Sequence, residues 1–175
     1  MTHPEPLWQP SPDRIDKAGI TRLQRWLAAE RGLHFENYEA LWQWSVDDLE
    51  GFWGAFWDFA GVISHSPYSR VLAEREMPHA KWFPGATLNY AEHMLAHARR
   101  PDAATRPALV FESELQARTE ISWARLAAAT GALTAGLAGL GVTRGDRVVG
   151  YLPNIPQALE SLRAVDSLGA IRSGS

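Results

Sequence analysis

The sequence predicts an α/β protein in which a helical, tryptophan-rich N-terminal segment precedes the first βαβ units of a larger sheet domain. Seven of the eight tryptophans precede residue 101, where apolar residues recur at helical spacing. After residue 106, predicted strands and helices alternate. We expect residues 1–100 to form the helical segment and residues 101–175 to form the incomplete start of the sheet domain.

Two helices are expected before residue 45. Ser11 precedes Pro12 and Asp13, an N-cap followed by a proline at the first helical position, and Gly32 is placed to end this helix. A second, short helix is expected over 38–44. The predicted inner face of the first helix consists of Ile15, Ala18, Leu23, Trp26 and Leu27.

The stretch "SVDDLEGFWGAFWDFAGV" predicts a third helix with a strongly apolar face. Ser45 and Asp48 are three residues apart, as in a capping box that begins at Ser45. Its acidic residues would repel a phosphate backbone, so the rings are expected to pack in a core or an interface rather than against nucleotide bases. The predicted face consists of Leu49, Phe52, Trp53, Phe56, Trp57 and Ala60.

The second half reads as strands at 107–112 and 118–122, a small-residue helix over 123–140, and a buried strand from 147 to 152. A further helix and a last strand, from 170, follow. Gly141 and Gly145 are expected in turns. The predicted inner face of the small-residue helix is Trp123, Leu126, Leu133, Leu137 and Leu140, and that of the last helix is Ile155, Leu159, Leu162 and Val165.

The strand-to-helix turn "PNIPQ" is the position at which many α/β enzymes bind a phosphate. This turn has no glycine, and Pro156 lacks an N–H group. We therefore interpret it as architectural, with Asn154 capping the helix that follows.

Two other stretches of the sequence have features of a site or of a helix start. His93 and His97 have the i, i+4 spacing of a metal-binding pair, but no third ligand is evident and both are expected to face outward from a packed face of Leu88, Ala91, Leu95 and Ala98. In "KWFPGATLNYAEHML", Thr87 is expected to cap the helix.

Composition excludes several classes of protein. The chain has no cysteine, a net charge of −3 and no secretory signal. The uncharged stretch 126–143 is dominated by Ala and Gly, which favours a packed helix over a membrane span. We expect a cytoplasmic protein with no nucleic-acid or membrane partner.

Three stretches closely resemble the beginning of acetoacetate–CoA ligases, which belong to the acyl-adenylate-forming superfamily. They are "YEALWQWSVDDLEGFWGAFWDFAGV", "MPHAKWFPGATLNYAEHML" and "GVTRGDRVVGYLPNIPQALESL" with the following "SLGAI". The resemblance implies ATP-dependent conversion of acetoacetate to acetoacetyl-CoA through an acyl-adenylate, with ATP, Mg²⁺ and CoA required by the full-length enzyme.

The catalytic parts of that family lie later in a longer chain. We therefore expect no catalytic, cofactor-binding or metal-binding residue here, no bound cofactor, and no activity of this chain alone. Arg172 stands where the family has an aromatic residue, and the end of the chain indicates truncation. Two alternatives are a stand-alone Trp-rich interaction module and a non-functional gene remnant. Unpaired strands are expected to cause self-association.

Overall fold

The computed structural model describes residues 7–174, which form two compact units. The helical unit contains residues 7–62 and 68–85, and the α/β unit contains residues 63–67 and 86–174. The boundary predicted at residue 100 concerns the domains of the related family and stays a prediction.

The helical unit begins with two helices, α1 (Pro12–Asp16) and α2 (Gly19–Arg31), where the sequence predicted one. The Ser11 hydroxyl accepts the N–H of Arg14, and Gly32 ends α2 at φ 66°, as predicted. The break changes the direction of the chain. Ile15 is therefore 50% exposed, and its predicted place on the inner face was wrong.

Helices α3 (Tyr38–Asp47) and α4 (Leu49–Ala60) follow with only one residue between them. That residue, Asp48, caps α4 by accepting the N–H of Gly51 at 2.9 Å. The predicted cap at Ser45 was wrong, because Ser45 lies inside α3 and donates its hydroxyl to the carbonyl of Trp42.

The core of the helical unit lies between α2, α3 and α4. Leu23, Leu27, Leu41 and Ala55 are buried in it, and half-buried rings, including Trp44 and Phe52, surround them. Ala55 was absent from the predicted face of α4, whereas Trp53 and Phe56, which were on that face, are each 38% exposed. The helix is aromatic on more than one side, and the periodicity identified only one of these sides.

The other aromatic side of α4 packs on an antiparallel hairpin of β1 (Leu72–Glu74) and β2 (Lys81–Trp82). The ring of Trp53 lies 5.7 Å from that of Trp82, and the ring of Trp57 lies 4.4 Å from that of Phe83. These contacts hold the hairpin within the helical unit.

The α/β unit contains helix α5 (Tyr90–Leu95), a 3₁₀ turn (Ala96–Arg99) and an antiparallel hairpin of β3 (Pro107–Phe111) and β4 (Thr119–Ser122). Helix α6 (Trp123–Gly139), strand β5 (Arg147–Gly150), helix α7 (Pro156–Ser167) and strand β6 (Ile171–Gly174) follow. Strands β5 and β6 pair in parallel, which confirms the predicted βαβ unit. Gly141 and Gly145 have φ near 90°, as turn residues of this kind require.

The two long helices of this unit bury fewer apolar side chains than predicted. In α6, Leu126 and Thr130 are buried, but Leu133 is 37% and Leu140 is 84% exposed, so their predicted place on the inner face was wrong. In α7, Ala164 and Val165 are buried. No helix among residues 7–174 combines the length and apolar character of a membrane span.

Candidate functional site

The turn between β5 and α7 lies where a strand ends and a helix begins, the junction at which many α/β enzymes bind a phosphate. Ile155 is the N-cap of α7 and makes no side-chain capping bond, so the prediction that Asn154 caps this helix was wrong. The N–H of Ile155 is donated to the carbonyl of Pro153 at 2.8 Å, and Pro156 is the first helical residue. An anion at this turn would therefore meet two prolines and an N–H that is already engaged.

A cavity of about 320 Å³ lies beside this turn. Its polar side chains are Glu112 and Asn154, and no Lys, Arg or His lines it. A nucleotide triphosphate needs cations or a run of free backbone donors. The cavity therefore does not fit ATP or Mg-ATP. Its lining residues are Leu109, Val110, Phe111, Glu112, Asn154, Ile155, Pro156 and Leu159.

The two histidines of α5 and the following 3₁₀ turn do not converge on a metal. His97 stacks its ring 4.8 Å from that of Trp123. His93 is half-buried, and its Nδ1 lies 3.5 Å from the N–H of Ile63, so its predicted outward position was wrong. Leu88, predicted to pack, is 50% exposed. Within the described part of the chain, no three His, Asp or Glu side chains are grouped as a metal site requires.

Residues 63–67 pack against the start of α5, in contacts that the sequence did not reveal. The N–H of His65 donates to the carbonyl of Thr87 at 2.7 Å, and His65 Nε2 lies 2.6 Å from a carboxylate oxygen of Glu92. The hydroxyls of Ser66 and Thr87 are 2.7 Å apart. Thr87 is thus occupied by this segment, and its predicted role as a helix cap was wrong.

Asn89 caps α5 and also bonds to α7. Its Oδ1 accepts the N–H of Glu92 at 3.1 Å, and its Nδ2 donates to the carbonyl of Asp166 at 2.8 Å, near the end of α7. An asparagine four residues after a Pro-Gly pair predicts a helix N-cap. Nothing in the sequence indicates its second bond, which spans 77 positions.

Arg163 contacts residues of both α5 and α7. Its guanidinium lies 4.6 Å above the ring of Tyr90 and 3.1 Å from Asp166, with 12% of its side chain exposed. Because both the ring and the carboxylate neutralise it, this arginine supports packing between α5 and α7.

The fold lowers the pKa of Asp146. Hydrogen bonds from the backbone N–H and then the hydroxyl of Thr143 hold the pKa of Asp146 below its ordinary value of 3.8. The carboxylate closes the turn between α6 and β5, so the shift reflects a structural bond at an exposed site.

Two successive parts of the chain match models of known protein families. Residues 38–94 match the model described as the acetyl-coenzyme A synthetase N-terminus. Residues 96–174 match the model described as AMP-binding enzyme.

Individual relatives match across both regions. The chain is 34% identical over 173 residues to the acetoacetyl-CoA synthetase of Macaca fascicularis, covering 97% of this chain and 25% of that protein. It is 31% identical over 173 residues to the acetoacetyl-coenzyme A synthetase of Rhizobium meliloti, covering 99% and 26%. The chain thus spans about a quarter of the length of these relatives.

A solved structure extends the similarity to the fold. The acetoacetyl-CoA synthetase from Streptomyces lividans superposes with a TM-score of 0.85 at 48% identity, covering 98% of this chain and 26% of that chain. Sequence and fold agree over nearly the same residues. In sequence and in fold, the chain therefore corresponds to the N-terminal portion of acetoacetyl-CoA synthetases, about a quarter of their length.

Proposed function

We propose that these residues form the N-terminal portion of an ATP-dependent acid–thiol ligase that converts acetoacetate to acetoacetyl-CoA. The observation that carries the proposal is the fold match at 48% identity to a protein described as an acetoacetyl-CoA synthetase. In such a reaction, the carboxylate attacks the α-phosphate of ATP and pyrophosphate leaves. The CoA thiol then takes the acyl group, and AMP leaves.

The contribution of this chain would be structural. The parallel pair β5–β6, with α6 and α7, would be the first units of the sheet on which the rest of the enzyme builds its ATP, Mg²⁺ and CoA sites. The cavity beside the β5–α7 turn does not fit a triphosphate, and no three His, Asp or Glu side chains among residues 7–174 are grouped as a metal site requires. We therefore propose that the chain is inactive by itself, and a cytoplasmic location belongs to the same proposal.

The inactivity is tested by ATP–pyrophosphate exchange on the purified chain. We expect no exchange above a blank with acetoacetate, acetate or butyrate. Acetoacetate-dependent exchange that co-purifies with the chain and disappears on its immunodepletion would contradict the proposal.

The family role is tested by a chimera. Residues 7–174 would replace the aligned quarter of the Streptomyces lividans enzyme, and formation of acetoacetyl-CoA would be measured. We expect acetoacetate to remain the preferred acid, with kcat/KM within about tenfold of the parent, which is about 1.4 kcal/mol in barrier. A folded chimera that prefers another acid, or that cannot adenylate any acid, would contradict the proposed role.

A further inference from the structure

Helix α3 carries an exposed apolar stripe on the side opposite its buried face. Tyr38, Trp42 and Val46 follow one another at intervals of four residues, and they are 61%, 50% and 40% exposed. Leu41, on the other side of the helix, is 2% exposed and belongs to the core. The stripe therefore contributes little to the fold, and contiguous exposed rings of this kind are typical of interaction surfaces.

The stripe lies in an acidic region. Residues 36–50 contain five carboxylates and no Lys, Arg or His. None of these carboxylates forms an ion pair with any residue between 7 and 174. The surface thus presents apolar rings with unneutralised negative charge, and its complement is an apolar surface with positive charge. The five are Glu36, Glu39, Asp47, Asp48 and Glu50.

Helices α1 and α2 of the same unit present that complement. Trp8, Ile15 and Ile20 are 67%, 50% and 42% exposed. Between residues 7 and 27 there are four cations and two carboxylates. Both carboxylates are neutralised by Lys17 and Arg25, which leaves Arg14 and Arg22 without ion pairs among the described residues.

From this charge complementarity we infer that the helical unit docks a second copy of the chain. The acidic aromatic stripe of α3 in one copy contacts the basic apolar surface of α1–α2 in the other. If the contact is reciprocal, two identical contacts close a dimer with two-fold symmetry. The inference concerns the helical unit alone and does not depend on the proposed ligase function.

Charge reversal at one position on each surface tests the inference by sedimentation velocity. We expect Glu39→Arg and Arg22→Glu each to raise the dimer Kd about tenfold, since rim charges that meet like charges oppose docking. An equimolar mixture of the two variants restores dimers, because position 39 of one then meets position 22 of the other with opposite sign. Raising the ionic strength weakens the dimer of the unsubstituted chain.

Two further variants keep the test decisive. Trp42→Ala should also raise the Kd about tenfold or more, because exposed tryptophans often dominate an interface. Glu114→Arg reverses an exposed charge in the β3–β4 connection and should leave the Kd unchanged. Far-UV circular dichroism identifies any variant that fails to fold. If Trp42→Ala fails to fold, the mixture of Glu39→Arg and Arg22→Glu still tests the inference.

Three results would overturn the inference. The first is a monomer at every accessible concentration of the unsubstituted chain. The second is a mixture of Glu39→Arg and Arg22→Glu that associates no better than either variant alone. The third is a dimer that survives all these changes and is lost in Val149→Lys, which would place association at the exposed strand β5.

Discussion

The helical unit and the α/β unit have similar apolar content along the chain, but their buried residues are arranged differently. In the helical unit, buried leucines meet at the centre of three helices and a continuous network of rings surrounds them. In the α/β unit, the parallel pair β5–β6 leaves Val149 77%, Tyr151 91% and Ile171 57% exposed. Among residues 7–174, each sheet consists of only two strands.

The difference follows from how helices and strands satisfy their backbones. A helix forms its backbone hydrogen bonds internally, so three helices suffice for a core. A parallel strand needs neighbours along both edges and cover on both faces before it is buried. The chain therefore closes a core between α2, α3 and α4, whereas the two-stranded pair β5–β6 leaves its own apolar side chains Val149 and Ile171 exposed.

The largest expected effect is the loss of a fully buried side chain from the helical core. Leu27 is 0% exposed, so Leu27→Ala should lower the free energy of unfolding of the helical unit by about 4 kcal/mol. Denaturant unfolding followed by tryptophan fluorescence measures this in a Trp123→Phe background, because the other tryptophans lie outside the α/β unit.

Hydrogen exchange provides the control for the same comparison. In the unsubstituted chain, backbone amides of residues 38–60 should exchange more slowly than those of residues 146–174. Leu27→Ala should accelerate the first set more than the second. Equal protection of both sets in the unsubstituted chain would show that the two units do not differ in stability.

An intermediate effect should separate the two tryptophans on the outer side of α4. Trp57 packs against both Tyr68 and Phe83, whereas Trp53 is 38% exposed. We expect losses of about 3 kcal/mol for Trp57→Ala and about 1 kcal/mol for Trp53→Ala, since the cost follows the apolar contact removed. Thermal melts measure the difference between the two variants. Trp57→Phe should retain most of the stability that Trp57→Ala loses. Equal losses would mean that the contacts of Trp57 with Tyr68 and Phe83 contribute no more to stability than the contacts of the more exposed Trp53.

The smallest expected effect is a gain in the stability of the α/β unit. Thr130 is 1% exposed, and no group among residues 7–174 hydrogen-bonds its hydroxyl. Thr130→Val replaces that hydroxyl by a methyl group of similar size and should stabilise the unit by about 1 kcal/mol. Thr134→Val is the matched control, because the Thr134 hydroxyl donates to the carbonyl of Thr130 at 2.8 Å and its loss should bring no gain. Hydrogen exchange of the backbone amides of the α/β unit measures both effects; a destabilised Thr130→Val would reveal a bond to water at this site.

Much of the local structure was predictable from short-range chemistry. Ser11, Gly32, Gly141 and Gly145 act where the sequence placed them, since capping and positive-φ turns depend only on residues within one helical turn. The β3–β4 hairpin and the parallel pairing of β5 and β6 also followed from the order of strands and helices.

The errors occurred where local signals competed. Ser45 and Asp48 both resemble caps, and only the continuation of α3 through Ser45 decided between them. Thr87 and Asn89 competed in the same way, and the packing of residues 63–67 engaged Thr87. For the site, the sequence predicted no ligand-binding residue in this chain, and that stays a prediction.

The sequence by itself determined the order and type of the elements after residue 106 and the resemblance to acetoacetate–CoA ligases. The tertiary structure alone decided which side of an aromatic helix is buried, because α4 offers apolar residues on more than one side and only the positions of α2 and α3 select Ala55 and Phe59 over Trp53. It also decided that Asn89 bonds to the end of α7, a contact between residues 77 positions apart. Periodicity records the spacing of residues along one element, whereas burial depends on which other elements cover it.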